Sequence, residues 1–220
     1  MMPMSTVFLP PQFKATDTRW ALTLMREHPL AQLISVDEQG APFVTPLPLH
    51  IGQEAPDLVL LGHCSRGNSH WRLLQANPQA WVVFMGPQAY MSPAVYPDLA
   101  RVPTWSYLTV HCKVVASLID DVAAKDALLK QLIGDHEPAY AQQWRGLGQD
   151  YQHKMLAGIV GFELKVIELE CKLKLNQHRP EAHEAMHRAY SQGSEQERAL
   201  ALWMRRLGMV SPDHTDGAEA

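Results

Sequence analysis

The chain has 220 residues, a formal net charge of −4, 46% hydrophobic and 19% charged residues. That balance suits a globular protein with one good core or two small ones, and it provides no global positive field to attract DNA or an anionic membrane. Cys64, Cys112 and Cys171 lie far apart and outside any CxxC spacing, which suits reduced thiols in a cytoplasm better than a disulfide framework or a zinc site.

The opening stretch, 1–13, lacks a basic then apolar leader pattern, and no apolar run approaches the roughly 18 residues of a membrane span, so a cytoplasmic protein is expected. From Asp17 to His28, a capping aspartate followed by Trp20 and Leu24 at helical spacing predicts a helix, which Pro29 stops. Ala31 to Val36 predicts a strand, Asp37 to Gly40 a turn, and Phe43 to Ile51 the returning strand of a hairpin. Pro46 and Pro48 sit two apart within it. Backbone N–H groups at i and i+2 point the same way, so these prolines leave one edge without donors, and that edge must face a loop, solvent or a ligand.

Leu58 to Gly62 predicts a buried strand that runs into the polar turn His63 to Asn68, with a helix over Ser69 to Gln75. Ser65, the Arg66 guanidinium and the amides of a helix start form a donor set suited to a phosphate monoester; an ordinary capped helix is the competing reading. His63 is either a base or a hydrogen-bonded structural residue. Ala80 to Met85 predicts a further strand. Between Phe84 and His111, Tyr90, Tyr96, Trp105 and Tyr107 are interleaved with Pro87, Pro93, Pro97 and Pro103, which makes either a shaped wall beside a ligand or a loop folded onto its own core. Ser106 to Ser117 predicts a long strand with Leu108, Val110, Cys112, Val114 and Ala116 toward the core and Tyr107, Thr109, His111 and Lys113 on the other face.

Asp120 to Asp135 predicts a helix, and Tyr140 to Leu156 a second helical segment interrupted near Gly146 and Gly148. Ile159 to Cys171 predicts a strand whose apolar positions change phase near Val166, the signature of a bulge or bend. Lys172 to Arg179 reads as a basic connector, Pro180 to Gln192 and Ser194 to Leu207 as terminal helices joined at Gly193, and the last residues as disordered. The expected organisation is therefore a barrel domain over 1–171, a connector with packed helices over 172–208, and a tail over 209–220. Strands linked as hairpins with helices between them argue for an α+β chain around a closed or nearly closed antiparallel barrel.

His183-Glu184-Ala185-Met186-His187 matches the HExxH pattern of zinc proteases. Tyr190 stands where one zinc class has glycine and no third ligand follows at its usual spacing, so no metal is expected and the helix face is expected to be solvated. There is no GxSxG, no P-loop and no GxGxxG.

Five ordered motifs point to one family. Thr45-Pro46-Leu47-Pro48-Leu49 comes first, then Gly62-His63 with Arg66, Asn68 and Trp71, and then Phe84, Gly86-Pro87, Ala89-Tyr90, Ser92-Pro93 and Tyr96. Val102-Pro103-Thr104-Trp105 with Tyr107 and Val110-His111 follow, and Gly158 to Phe162 with Lys172, Lys174-Leu175, Gln177 and Arg179 close the series. Over about residues 6 to 207 the chain resembles the PaiB family of FMN-binding negative transcriptional regulators. The resemblance implies a split β-barrel, antiparallel and Greek-key-like, with inserted and C-terminal helices, and a homodimer holding FMN at its interface. It implies flavin contacts along Thr45, Pro46, Leu47 and Leu49, phosphate contacts around His63, Ser65, Arg66 and Asn68, and further contacts from Trp105, Tyr107, Lys172, Lys174 and Arg179. The family usually carries histidine where this chain has Pro46, proline at Ser69, tryptophan at Val95, asparagine at Ser106 and glycine at Val114. A regulator, an FMN-dependent oxidoreductase and a haem-binding barrel remain as functional readings, with FMN favoured over haem by Ser65 and Arg66. Direct sequence-specific DNA binding is not expected, because Arg188, Arg198, Arg205 and Arg206 are offset by Glu181, Glu184, Glu195 and Glu197.

Overall fold

The computed structural model describes residues 7–98 and 100–211; most of the expected tail, from 212 onward, lies outside the described residues. The chain divides into two compact units. One, the sheet unit, takes Arg19–Phe84 and Val110–Glu170. The other, the terminal unit, takes Met1–Thr18, Met85–Thr109 and Cys171–Ala220.

In the sheet unit, α1 (Thr18–Glu27) leads into β1 (Leu30–Val36) and β2 (Pro42–Pro48). The turn between these strands is set by Asp37, whose Oδ1 accepts from the amides of Gln39 and Ala41, while Gly40 takes φ +83°. Then come β3 (His50–Gln53), β4 (Val59–Ser65), α2 (His70–Ala76), β5 (Gln79–Met91) and β6 (Thr104–Ile119). After α3 (Val122–His136), α4 (Tyr140–Gly146) and α5 (Gln149–Ala157), β7 (Ile159–Lys174) returns. The seven strands form one sheet in the order β2-β1-β5-β6-β7-β4-β3. Its strands pair antiparallel wherever the register is resolved, Leu30 facing Pro48 and Val59 facing Lys165.

The predicted strand over Phe43 to Ile51 is in fact two strands, and the break explains the prolines. β2 is one edge of the sheet and β3 is the other, with Leu49 alone between them. Two edges joined by one residue require a sheet rolled until its ends meet. Leu49 sits inside the roll, 1% exposed, and its amide donates to the carbonyl of Pro29. Pro42, Pro46 and Pro48 lack the N–H that an inner strand would need, and among the described residues β2 has β1 as its sheet partner on one side alone. Gly62 on β4 is a glycine because of this roll: a Cβ there would collide with Leu49 and lie 2.8 Å from the Phe162 ring. Leu60, Leu108, Val110, Val114, Phe162 and Leu164 fill the interior.

The phase change in β7 is present. Val160, Phe162 and Leu164 are buried, and further along Cys171 and Leu173 are. The odd set replaces the even set across a half-exposed stretch between them.

In the terminal unit, a 3-10 turn (Pro180–Ala182) precedes α6 (His183–Ser191) and α7 (Glu195–Arg206). Ser194 and Glu197 close α7 with a capping box, and a Cβ on Gly193 would run into the Glu197 side chain. The basic connector begins later than expected: Lys172 and Lys174 are the last residues of β7, so their side chains are fixed by a strand. β5 likewise extends past Phe84 to Met91, so the first third of the aromatic segment is sheet.

Candidate functional site

The sheet unit gathers most of the sequence-predicted residues around the end of β4. Thr45, Leu47 and Leu49 point inward, 9%, 8% and 1% exposed, and Pro46 faces out. His63 is half-buried on β4 opposite Gly161, and burial, helped by the neighbouring His50, holds its pKa below the ordinary histidine value. It is neutral at pH 7.

The amides of the turn after β4 are already committed within the protein. The Arg66 amide donates to the carbonyl of Gly158 at 2.8 Å and the Asn68 amide to that of Ser65 at 2.9 Å. The Gly67 amide donates to Ser65 Oγ at 3.2 Å, and the His70 amide to Asn68 Oδ1 at 3.0 Å. α2 is a short helix without a side-chain cap. The expected row of open helix amides is therefore replaced by side-chain donors.

Arg66 is partly committed. Its Nε donates to the carbonyl of Ala157 at 2.9 Å, and its Nη2 to that of Ile159 at 3.2 Å and to Asp120. Those bonds from Arg66, with one from Lys125, hold the Asp120 carboxyl below its usual range. Nη1 of Arg66, the Ser65 hydroxyl hydrogen and the second hydrogen of Asn68 Nδ2 take no acceptor among the described residues. Three donors, one of them cationic, stand within one turn, which is the chemistry a phosphate monoester requires.

Behind this turn lies a residue the sequence reading passed over. His70 is 0% exposed; its Nδ1 lies 2.8 Å from Thr45 Oγ1 and its Nε2 3.0 Å from Ser35 Oγ. Asn68 Nδ2 donates to the same Thr45 oxygen at 3.3 Å. The Ser35-His70-Thr45-Asn68 chain thus ties β1, α2 and β2 to the turn that carries the donors. Burial pushes the His70 pKa down to about 4, so the ring is neutral and acts as one donor and one acceptor. No motif could reveal it, because its partners are 25 and 35 residues away.

In the terminal unit, Trp105, Lys174 and Arg179 line a cavity of about 360 Å³, together with Tyr96, Arg101 and Asn176. Lys174 Nζ donates to Thr104 Oγ1 at 2.7 Å and to the Trp105 carbonyl at 2.8 Å. Tyr107 is clamped between two cations, with Lys172 Nζ 5.1 Å and Lys174 Nζ 5.6 Å from its ring centroid. Lys172 is 6% exposed and donates to the carbonyl of Phe8 at 3.1 Å, so it serves packing. Ser106 Oγ, at one of the departures from the family pattern, accepts from Tyr190 at 2.9 Å.

The HExxH helix face is not solvated as expected. His183 and His187 are 7% and 6% exposed, on the side of α6 that also buries Met186 and Tyr190. Both His183 nitrogens face carbonyls, Met209 at 3.2 Å and Asn176 at 3.1 Å, and His187 Nε2 accepts from Arg205 at 3.0 Å. The pattern is a packing face. Cys64, Cys112 and Cys171 are all buried free thiols, and burial pushes Cys171 up to about 12. Among the described residues, no helix is long and apolar enough to cross a membrane.

Residues 7–168 match the family described as "Putative FMN-binding domain". The chain is 31% identical over 177 residues to the protease synthase and sporulation protein PAI 2 of Bacillus subtilis (strain 168), covering 80% of this chain and 84% of that one. A shorter match, 34% over 77 residues, covers 33% of this chain and 44% of the uncharacterized protein YKL070W of Saccharomyces cerevisiae. In fold the chain is similar to the flavocytochrome Anf3 of Azotobacter vinelandii, with TM-score 0.58 and 18% identity over 74% of this chain and 70% of that one. It is similar also to an FAD- and haem-binding protein of Mycobacterium smegmatis, with TM-score 0.58 and 20% identity over 73% of each chain. The fold is α+β, an antiparallel split-barrel sheet with inserted helices.

Proposed function

The chain belongs to this family of PaiB-type FMN-binding domains, and from that premise we propose that it binds FMN and acts as a negative regulator of transcription, through flavin binding or a partner. The observation that carries the reading is the family match over residues 7–168. The donors left open at the end of β4 fit the group. Arg66 Nη1, the Ser65 hydroxyl and Asn68 Nδ2 would hold the phosphate, and the buried Thr45 hydroxyl would fix the Asn68 amide so that its second hydrogen points outward. When bound, FMN supplies hydride or one-electron redox chemistry. His70 contributes position and no charge, since its ring stays neutral.

The proposed assembly is a homodimer in the cytoplasm. Pro42, Val44, Pro46 and Pro48 on β2 are exposed beside Leu30 and Val36 on β1, and Leu30, Val36 and Val44 are 62%, 55% and 50% exposed. An apolar strand face next to a donorless edge is what a second copy of the chain would cover.

Absorbance of the purified protein after FMN loading tests the cofactor, and paired titrations test its placement. Ser65→Ala and Asn68→Ala are expected to weaken FMN by about tenfold while leaving riboflavin unchanged, a loss of about 1.4 kcal/mol specific to the phosphate. Equal losses for both ligands would move the phosphate elsewhere, and a protein that takes up no flavin would end the reading.

A further inference from the structure

α3 carries a charge at a position that its spacing reserves for the core. Its buried residues are Lys125, Leu128 and Leu132, at i, i+3 and i+7, and the two leucines cluster with Leu61, Val59 and Ile119. Lys125 is 2% exposed. A buried ammonium is unfavourable unless it is paired, and a methionine would fill the same space without that penalty. Lys125 Nζ donates to Asp120 Oδ1 at 3.1 Å and to the carbonyl of Ile159 at 3.4 Å. Arg66 Nη2 donates to the same two oxygens. The two cations therefore share both acceptors, and Arg66 belongs to the turn that carries Ser65 and Asn68.

The balance of charge gives the second cation a reason. The Asp120 side chain is 58% exposed, and the bonds from Arg66 and Lys125 hold its carboxyl below the usual range, so it is ionised at pH 7. Beside a phosphate site such a carboxylate is a liability: it cancels the charge of Arg66 and repels the anion. With Lys125 the trio keeps one net positive charge, while Arg66 Nη1 stays open. Asp121, the next carboxylate along the chain, is committed to the start of α3, where its Oδ2 accepts from the Ala124 amide at 2.8 Å.

On the premise stated above, that a phosphate sits at Ser65, Arg66 and Asn68, we propose that Lys125 is a positioning residue for it, acting through Asp120 to keep the Arg66 guanidinium fixed and its charge uncancelled. Buried as it is, Lys125 meets no ligand itself; it sets the charge that the turn presents.

The experiment titrates FMN, riboflavin and inorganic phosphate calorimetrically into the wild type and its variants. Lys125→Met keeps the volume and removes the charge. It is expected to weaken FMN and phosphate by about fivefold, the order for one unit charge near a solvent-screened surface, with riboflavin unchanged and the loss shrinking as salt is raised. Lys125→Gln, which can still donate to Asp120, is expected to lose as much, and it carries the test if the methionine variant does not fold. Adding Asp120→Asn to either variant is expected to restore FMN affinity, because it removes the carboxylate that Lys125 offsets. FMN affinity unchanged by loss of Lys125, equal losses for FMN and riboflavin, or no recovery with Asp120→Asn overturns the proposal and leaves the flavin reading standing. A protein that takes up no flavin, yet binds phosphate with the same order of affinities among the variants, ends the flavin reading and supports the role of Lys125. One that binds neither overturns both.

Discussion

The Thr45 hydroxyl lies 2.8 Å from Nδ1 of a His70 ring that is 0% exposed, and through this pair an edge strand is fastened to the helix behind the turn that carries Ser65 and Arg66. The pair is neutral, because burial pushes the His70 pKa down to about 4. The unfolded chain binds a proton at His70 near the ordinary histidine value of 6.5, whereas the folded chain binds it only near 4. The His70 contribution is therefore intact above about pH 6.5 and is lost as pH falls toward 4, by up to about 3 kcal/mol. Urea unfolding of the wild type and His70→Gln across that window should give curves that converge at low pH. Parallel curves would mean that His70 does not stay neutral in the folded state.

Thr45→Val keeps the volume and removes the oxygen shared by His70 and Asn68. A buried ring nitrogen then lacks its partner, and a loss of about 1–3 kcal/mol is expected in denaturant unfolding. A double-mutant cycle with Asn68→Ala should show coupling between the two sites.

Gly62→Ala tests the roll of the sheet. The new methyl would meet Leu49 and the Phe162 ring, so a loss of about 1–3 kcal/mol is expected. Pairing it with Leu49→Ala should recover part of that loss, since the space and the methyl are complementary. A neutral Gly62→Ala variant would show that the interior is looser than described.

Light scattering checks the dimer. The chain mass is 24.7 kDa, and a species of about twice that is expected at micromolar concentration. Val44→Lys, on the exposed face of β2, should shift the population toward monomer, whereas a wild type measured as monomer removes the proposed interface.

No site-selective DNA complex is expected from the protein alone at physiological salt. Three of the four arginines of the last two helices are turned to other work: Arg198 donates to the Gly193 carbonyl, Arg205 to His187, and Arg206 lies 5.1 Å over the Trp203 ring. A mobility shift that is salt-sensitive and nanomolar would reverse this and place DNA recognition within the chain.

Local chemistry was legible in the sequence wherever one residue type forces a backbone outcome. Pro46 and Pro48 announced an edge strand, and the shift of apolar positions in Ile159 to Cys171 announced the change of buried face in β7. Interrupting glycines correctly separated α4 from α5. What escaped was set by distant partners. His183 and His187 look like a solvent-facing pair until Met209 and Asn176 are known to lie against the first and Arg205 against the second, and His70 reads as an ordinary helix residue until Ser35 and Thr45 are folded onto it. The break at Leu49 escaped for a similar reason: a continuous apolar run carries no mark of where a chain leaves one edge of a sheet for the other.

That break gives the sheet unit a mechanical property. Its seam is closed by a covalent link of one residue, so the two edge strands cannot slide or peel independently: moving β2 along β1 pulls on β3 and thence on β4. A register slip that would cost one pairing in an open ribbon here costs pairings on both sides of the seam. Lengthening the link with a few glycines would add little loop entropy but would uncouple the two edges. Hydrogen exchange would then show β2 and β3 opening separately, where the native chain opens them together.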